Sequence, residues 1–257
     1  SQLGVGGGSL FCRSGDDGGQ VILDACWDAG LRFFDTAPYY GRGLSEGRFG
    51  RALSSRPRKE YALATKVGHL PPREGPPREG AGPYDPKNYD YTYDGVMRSF
   101  EESVERTGIE YMDMVMIHDI VEEFIGDDFE RRFDEVMTGA YPALIKLRNQ
   151  GRIGAVGVAV KDWNVCLRLA KAAQFDCFLL AADYNFLRHD SLNEFLPHCQ
   201  QHGIPIIIGA PFCMGILATG AVPNARYFFY HEIPRDVIER TKKIEAICAR
   251  RQDAHAE

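Results

Sequence analysis

The sequence contains no apolar run approaching the ~18–20 residues a helix needs to cross a bilayer, so no membrane-spanning helix is expected. It has no run of lysine and arginine, and its formal net charge is −6. That balance excludes an electrostatic surface for nucleic acid or anionic lipid. Cys-x-x-Cys is absent, and the seven cysteines are an odd number without framework spacing. Neither a zinc site nor a disulfide scaffold is expected, and no metal is assigned. Reduced thiols serving as small core residues in a cytoplasmic chain are the simplest reading. The first ten residues lack a charged start followed by an apolar stretch, so no signal peptide is expected. The run Gly4-Val5-Gly6-Gly7-Gly8 lacks the full GxGxxG of a dinucleotide loop and reads as a tight turn after a strand.

What is present is a strand–helix alternation. Apolar residues make up 44% of the 257 positions, enough for a large core. The length suits one (β/α)₈ barrel over residues 1–257, and two smaller domains would also fit. Candidate strands are 3–7, 32–35, 61–67, 112–118, 154–160, 177–184 and 205–209. Runs such as Met114-Val115-Met116-Ile117 and Ile206-Ile207-Ile208 suit strands buried on both faces. Helical patterns fall at 20–29, 93–107, 140–149, 163–172 and 235–250, the first three followed by Gly30, Gly108 and Gly151 as stops. Parallel βαβ units follow, in a barrel or a doubly wound sheet. Residues 71–80 repeat PPREG, and the Gly/Pro-rich stretch runs on to Asn88. A mobile loop over 71–88 is expected, as a lid or as a tolerated insertion.

Three strands deliver an ionisable group at their C-terminal ends: Asp35, Lys66 and His118. In a parallel barrel these ends share one mouth. The Pro- and Gly-bounded loop after Asp35 carries Tyr40. Singly, each has an ordinary reading: a turn former, a rim aromatic, a solvated strand end, a structural histidine. Together they make a proton-transfer site. A free tyrosine titrates near ~10, and a neighbouring ammonium is expected to lower that value. Asp35 would keep Lys66 charged, and His118 would hold a substrate oxygen.

The segments FDTAPYYGRGLSE, ATKVG, MVMIHD and GAVGVA resemble the aldo-keto reductase family in order and context. YDYTYDGVMRSFEESVERTGIEYMD, DCFLLAADYNFL and GAPFCMGILATG are similar in particular to its sugar and pyridoxal dehydrogenases, the L-fucose, D-threo-aldose, L-galactose and pyridoxal 4-dehydrogenase subgroup. The resemblance extends from about Leu3 to Arg251. It implies a (β/α)₈ TIM-type barrel, here lacking the last strand–helix unit, since only seven candidate strands occur. It implies Tyr40 as general acid/base, Lys66 and Asp35 as its tuning partners, and His118 as the orienting residue. It also implies NAD or NADP as cofactor, with NAD preferred, held by Gly7, Asp35, Gly209, Ala210, Pro211, Phe212, Gly215 and Leu217.

Four positions depart from the family pattern. Ala159-Val160 stand where the wider family has Ser-Asn, Gly209 stands where many members have an aromatic, and Lys161 replaces an expected Asn. The implied activity is NAD(P)-dependent oxidation of an aldose at C1 to a lactone, or reduction of the related carbonyl. A pyridoxal or aromatic-aldehyde oxidoreductase is one alternative, and a non-catalytic nucleotide-sensing or interaction module is another.

Overall fold

The computed structural model describes residues 2–9, 16–71, 88–225 and 233–253. Seven parallel strands follow one another in chain order: β1 (Gly4–Gly6), β2 (Phe33–Asp35), β3 (Ala62–Val67), β4 (Met112–His118), β5 (Ile153–Val160), β6 (Cys177–Ala181) and β7 (Ile206–Gly209). The helices are α1 (Asp16–Asp28), α2 (Leu44–Leu53), α3 (Tyr93–Thr107), α4 (Glu122–Ile125), α5 (Phe129–Glu135), α6 (Tyr141–Asn149), α7 (Trp163–Ala172), α8 (Phe195–His202), α9 (Ile216–Thr219) and α10 (Arg235–Asp253). Among the described residues each strand pairs only with its chain neighbours, so β1 and β7 form the two edges of a nearly closed barrel. All seven strands fall at the positions expected from sequence. Pattern reading did not isolate α2, the helical path from α4 to α5, α8 or α9.

The sheet is built on a two-residue alternation. Phe34, Leu63, Val67, Val115, Ile117, Val156, Val158, Val160, Phe178 and Leu180 lie buried in the main core with helix residues such as Phe100 and Leu144. Burying each such side chain contributes ~1.5–3 kcal/mol. The alternate positions, Ala64, Met116, Ala159 and Leu179, form a separate small cluster, joined by Phe33, Met114 and Ile207. Side chains from alanine to leucine, methionine and phenylalanine fill that narrow interior as a packed stack. Continuing along that same alternation, Phe33 leads to Asp35, Ala64 to Lys66, and Met116 to His118. The register places Lys66 opposite Met116 and His118 opposite Ala159. The charged groups therefore cap the inner stack at the C-terminal rim.

Local chemistry explains most boundaries. Thr92 caps α3 by accepting the Gly95 N–H at 3.1 Å, and Gly108 ends it at φ +67°, a conformation that costs glycine little. The sixth strand stops at Ala181, three residues short of the expected end, because Ala182 turns to φ +56°. Asp119 and Ala210, the residues after β4 and β7, also hold positive φ, at +52° and +46°. Non-glycine residues in this region cost ~1–3 kcal/mol each and collect at functional rims. Of the loop expected at 71–88, all but the two end residues lies outside the described residues. Its base is tied by an antiparallel bridge between His69 and Tyr89 and by the Leu70 N–H donating to the Asn88 carbonyl at 2.6 Å.

Candidate active site

Lys66 is 1% exposed and carries its ammonium into the rim. It donates to both Asp35 carboxylate oxygens, at 2.7 and 2.8 Å, and to the Thr36 carbonyl at 2.7 Å. Burial works to lower the Lys66 pKa, but Asp35 and Tyr40 overturn this and leave it raised. The ammonium is therefore the stable form. Burial raises Asp35 against the pull of Lys66.

The loop that brings Tyr40 here is short and held at its base. The Thr36 N–H donates to the Ala64 carbonyl, and its hydroxyl to Ser45 Oγ at 2.8 Å. Ser45 in turn donates to the Gly7 carbonyl at 3.2 Å. A Cβ at Gly7 would lie 2.4 Å from Ser45 Oγ, so only glycine allows this three-way closure. Tyr40 lies with its ring centroid 4.7 Å from Lys66 Nζ and 5.6 Å, edge-on, from the His118 ring. The four residues expected to meet, Asp35, Tyr40, Lys66 and His118, are brought together.

The expected acidity of Tyr40 is corrected by the structure. Lys66 does pull its pKa down, but burial outweighs it, and Asp35 and Asp119 add to the rise. The result is about 12, above the ordinary value. Tyr40 as a residue is only partly buried. Its ring lies 4.7 Å from Lys66 Nζ and close to other buried charges, and that local setting governs its acidity.

Three further groups complete the cluster. His69 lies three residues after Lys66, and Asp119 directly follows His118. Asp119 Oδ2 lies 3.2 Å from His69 Nδ1, 3.6 Å from His118 Nε2 and 3.9 Å from Lys161 Nζ. His69 is sandwiched between Tyr39 and Tyr89, at 3.8 and 4.3 Å between ring centroids. Tyr39 thus packs on the neighbouring histidine while Tyr40 meets Lys66. His69, His118 and Asp119 offer three atoms within 4.8 Å, a set able to hold a metal ion. Strand spacing hid this set from a search for local zinc motifs. Lys161 already supplies the positive charge at the shared carboxylate.

Burial holds His118 well below its usual pKa, aided by Lys66, His69 and Lys161 against Asp119. His69 is lowered for the same first reason. Burial alone would raise Asp119, but Lys161, His118 and His69 hold it far below the carboxylate range. All three folded values are depressed. Their stabilisation is present above the unfolded values and lost on acidification. Thermal unfolding followed from pH 8 to pH 5 is expected to show Tm falling once the pH drops below 6.5, the unfolded histidine value. A flat profile across that range would contradict neutral buried imidazoles.

Of the expected cofactor residues, Gly7 forms a 3₁₀ turn after β1. The next residue, Gly8, lies against the Tyr40 ring, with its Cβ position 3.8–3.9 Å from ring carbons. Gly209 ends β7, and Ala210, Pro211, Phe212 and Gly215 form the turn that follows. Phe212 is 59% exposed, and Cys213 and Met214 hold positive φ beside it. Leu217 is partly buried and packs against Leu187, Cys213, Ile216 and Val237. A glycine turn against Tyr40 and an exposed aromatic on the same end of the sheet fit a nicotinamide dinucleotide. A cavity of about 610 Å³ lies elsewhere, over the loops after β4 and β5, lined by Glu122, Glu123, Asp127, Phe129, Glu130 and Asp162. None of the four clustered residues lines it.

A parallel barrel with such a rim defines a TIM-barrel oxidoreductase working on a carbonyl or alcohol oxygen. The chain belongs to the aldo-keto reductase family, whose model, described as the aldo/keto reductase family, matches residues 2–257. It is 33% identical over 251 residues to D-threo-aldose 1-dehydrogenase of Pseudomonas sp, covering 94% of this chain and 74% of that protein. It is 34% identical over 257 residues to pyridoxal 4-dehydrogenase of Microbacterium luteolum, with the same coverage. Among solved structures, an aldo-keto reductase of Bacillus halodurans in its holo form matches with a TM-score of 0.69 at 24% identity, over 90% of this chain and 69% of that one. This protein is accordingly an NAD(P)-dependent oxidoreductase.

Proposed function

We propose that the protein oxidises a small aldose at its anomeric carbon to a lactone, or reduces the related carbonyl, with Tyr40 as the proton carrier. The observation that carries this reading is Tyr40 placed between a buried ammonium and a neutral imidazole at the rim. In oxidation Tyr40 takes the hydroxyl proton, Lys66 stabilises the tyrosinate, and Asp35 keeps Lys66 charged and oriented. His118 holds the substrate oxygen. A bound nicotinamide supplies the hydride acceptor or donor. Gly7, Asp35, Gly209, Ala210, Pro211, Phe212, Gly215 and Leu217 would hold it, with NAD preferred over NADP on the likeness to the sugar dehydrogenases. Residues 1–257 act as one barrel domain.

A second reading, pyridoxal or another aromatic aldehyde as substrate, draws on the 34% identity to pyridoxal 4-dehydrogenase. Initial rates with fucose, galactose, arabinose and pyridoxal, each with NAD and NADP, separate the two. Oxidation needs the deprotonated Tyr40, whose pKa is pushed up to about 12. The sign follows: oxidation rates rise with pH through the alkaline range, while reduction, which needs the protonated form, stays flat through neutrality. No turnover on any of the four compounds at any pH would overturn the proposal.

A further inference from the structure

Asp119 sits where no role in proton transfer calls for it, yet it is built in from several sides. It is buried, holds φ +52°, and donates its N–H to the Ala159 carbonyl at 2.9 Å. The Tyr91 hydroxyl donates to the carbonyl of the preceding residue, His118, at 2.7 Å. These two bonds fix the His118–Asp119 segment across the end of β4. One oxygen, Oδ2, then faces His69 Nδ1, His118 Nε2 and Lys161 Nζ. The two aromatic rings around His69 hold its plane, so its Nδ1 is aimed at that oxygen.

A neutral imidazole carries its proton on one nitrogen only. A carboxylate oxygen 3.6 Å from His118 Nε2, beyond hydrogen-bond reach, favours a proton on that nitrogen by its charge and repels a lone pair there, without accepting the N–H itself. The other nitrogen, Nδ1, is buried and has no hydrogen-bond partner among the described residues. A proton placed on Nδ1 would be a buried donor without an acceptor, a costly arrangement that folded proteins avoid. Both considerations select the same form.

We infer that Asp119 is a positioning residue that keeps the His118 proton on Nε2, so that this imidazole offers a donor to the substrate oxygen. His69 orients the carboxylate, and Lys161 balances its charge while leaving the oxygen available to the imidazoles. The inference rests on the reading of His118 as the group that holds substrate. It also gives the unexpected lysine at position 161 a purpose, since a buried Asp119 without it would lose its strongest stabilising charge.

The test is direct observation of the proton. Full-length protein labelled with ¹⁵N-histidine is examined by long-range ¹H–¹⁵N NMR at pH 8, with His118 assigned through His118→Gln. The wild type is expected to show Nε2–H alone. Asp119→Asn keeps the shape and tolerates the positive φ. It is expected to give a mixture of tautomers and to lower kcat on the order of 10–100-fold, with cofactor affinity unchanged. A wild-type signal from Nδ1–H overturns the inference, as does an Asp119→Asn variant with unaltered tautomer. If that variant does not fold, the wild-type spectrum alone decides. If no substrate turns over, the proposed activity fails while the tautomer measurement still stands or falls by itself.

Discussion

Replacing Tyr40 with phenylalanine is expected to lower kcat by ~10²–10⁴-fold, the usual contribution of a positioned acid/base. The substitution deletes one oxygen and leaves Lys66 its bonds to Asp35 and Thr36. Stability should change by no more than ~1 kcal/mol, the net value of one hydrogen bond. Affinity for NADH or NADPH, read by fluorescence titration, should stay within a few-fold of the wild type. Tyr39→Phe is the control, because Tyr39 stacks on His69 and its ring contact survives. Activity retained in Tyr40→Phe, or lost equally in both variants, would remove Tyr40 from its assigned role.

Lys66→Met is expected to produce the largest loss of stability. Methionine fits the same narrow interior, but it leaves Asp35 as a buried carboxylate with no counter-ion. Breaking one partner from a buried pair costs about 3–5 kcal/mol. The double variant Lys66→Met with Asp35→Leu removes both charges and should recover much of that loss, since an apolar pair of similar size leaves nothing unpaired. Activity should not return, because Tyr40 then has no ammonium to oppose the effect of burial on its acidity. Urea unfolding of the single and double variants checks the first expectation. A single variant as stable as the wild type would mean that the ion pair contributes no more than surface charges do.

Much of the sheet was readable in the chain because its strands are covered on both faces. Continuous apolar runs such as Val115-Met116-Ile117 leave few other choices, and all seven strands appear at the expected positions. Ends were less legible. Ala182 breaks its strand through a left-handed turn that no residue preference announces. The path from α4 to the start of α6 was hidden for another reason: Gly126 and Gly139 look like breaks. In the structure Gly139 lies in a π-helical turn, Val136–Ala140, and a Cβ there would meet the Tyr91 carbonyl at 2.6 Å. Glu46 also escaped notice as a structural charge. Fully buried, it accepts from Thr65 Oγ1 at 2.6 Å and pairs with Arg106. Those partners lie 19 and 60 residues away, beyond any local pattern.

Local pattern in the chain was enough to tell which strands would form, that they would run parallel, and that Asp35, Lys66 and His118 would emerge together at one rim. Period-two alternation and strand–helix order suffice for that, because each strand end is a local property of the chain. The electrostatics of the rim came with the folded packing. Burial, which depends on every surrounding element, raises Tyr40 to about 12 where the neighbouring charge alone would have lowered it. It likewise assembles Asp119, His69, His118 and Lys161 around a single oxygen. Desolvation and the convergence of three separate strands are properties of the folded volume, and no stretch of sequence contains them.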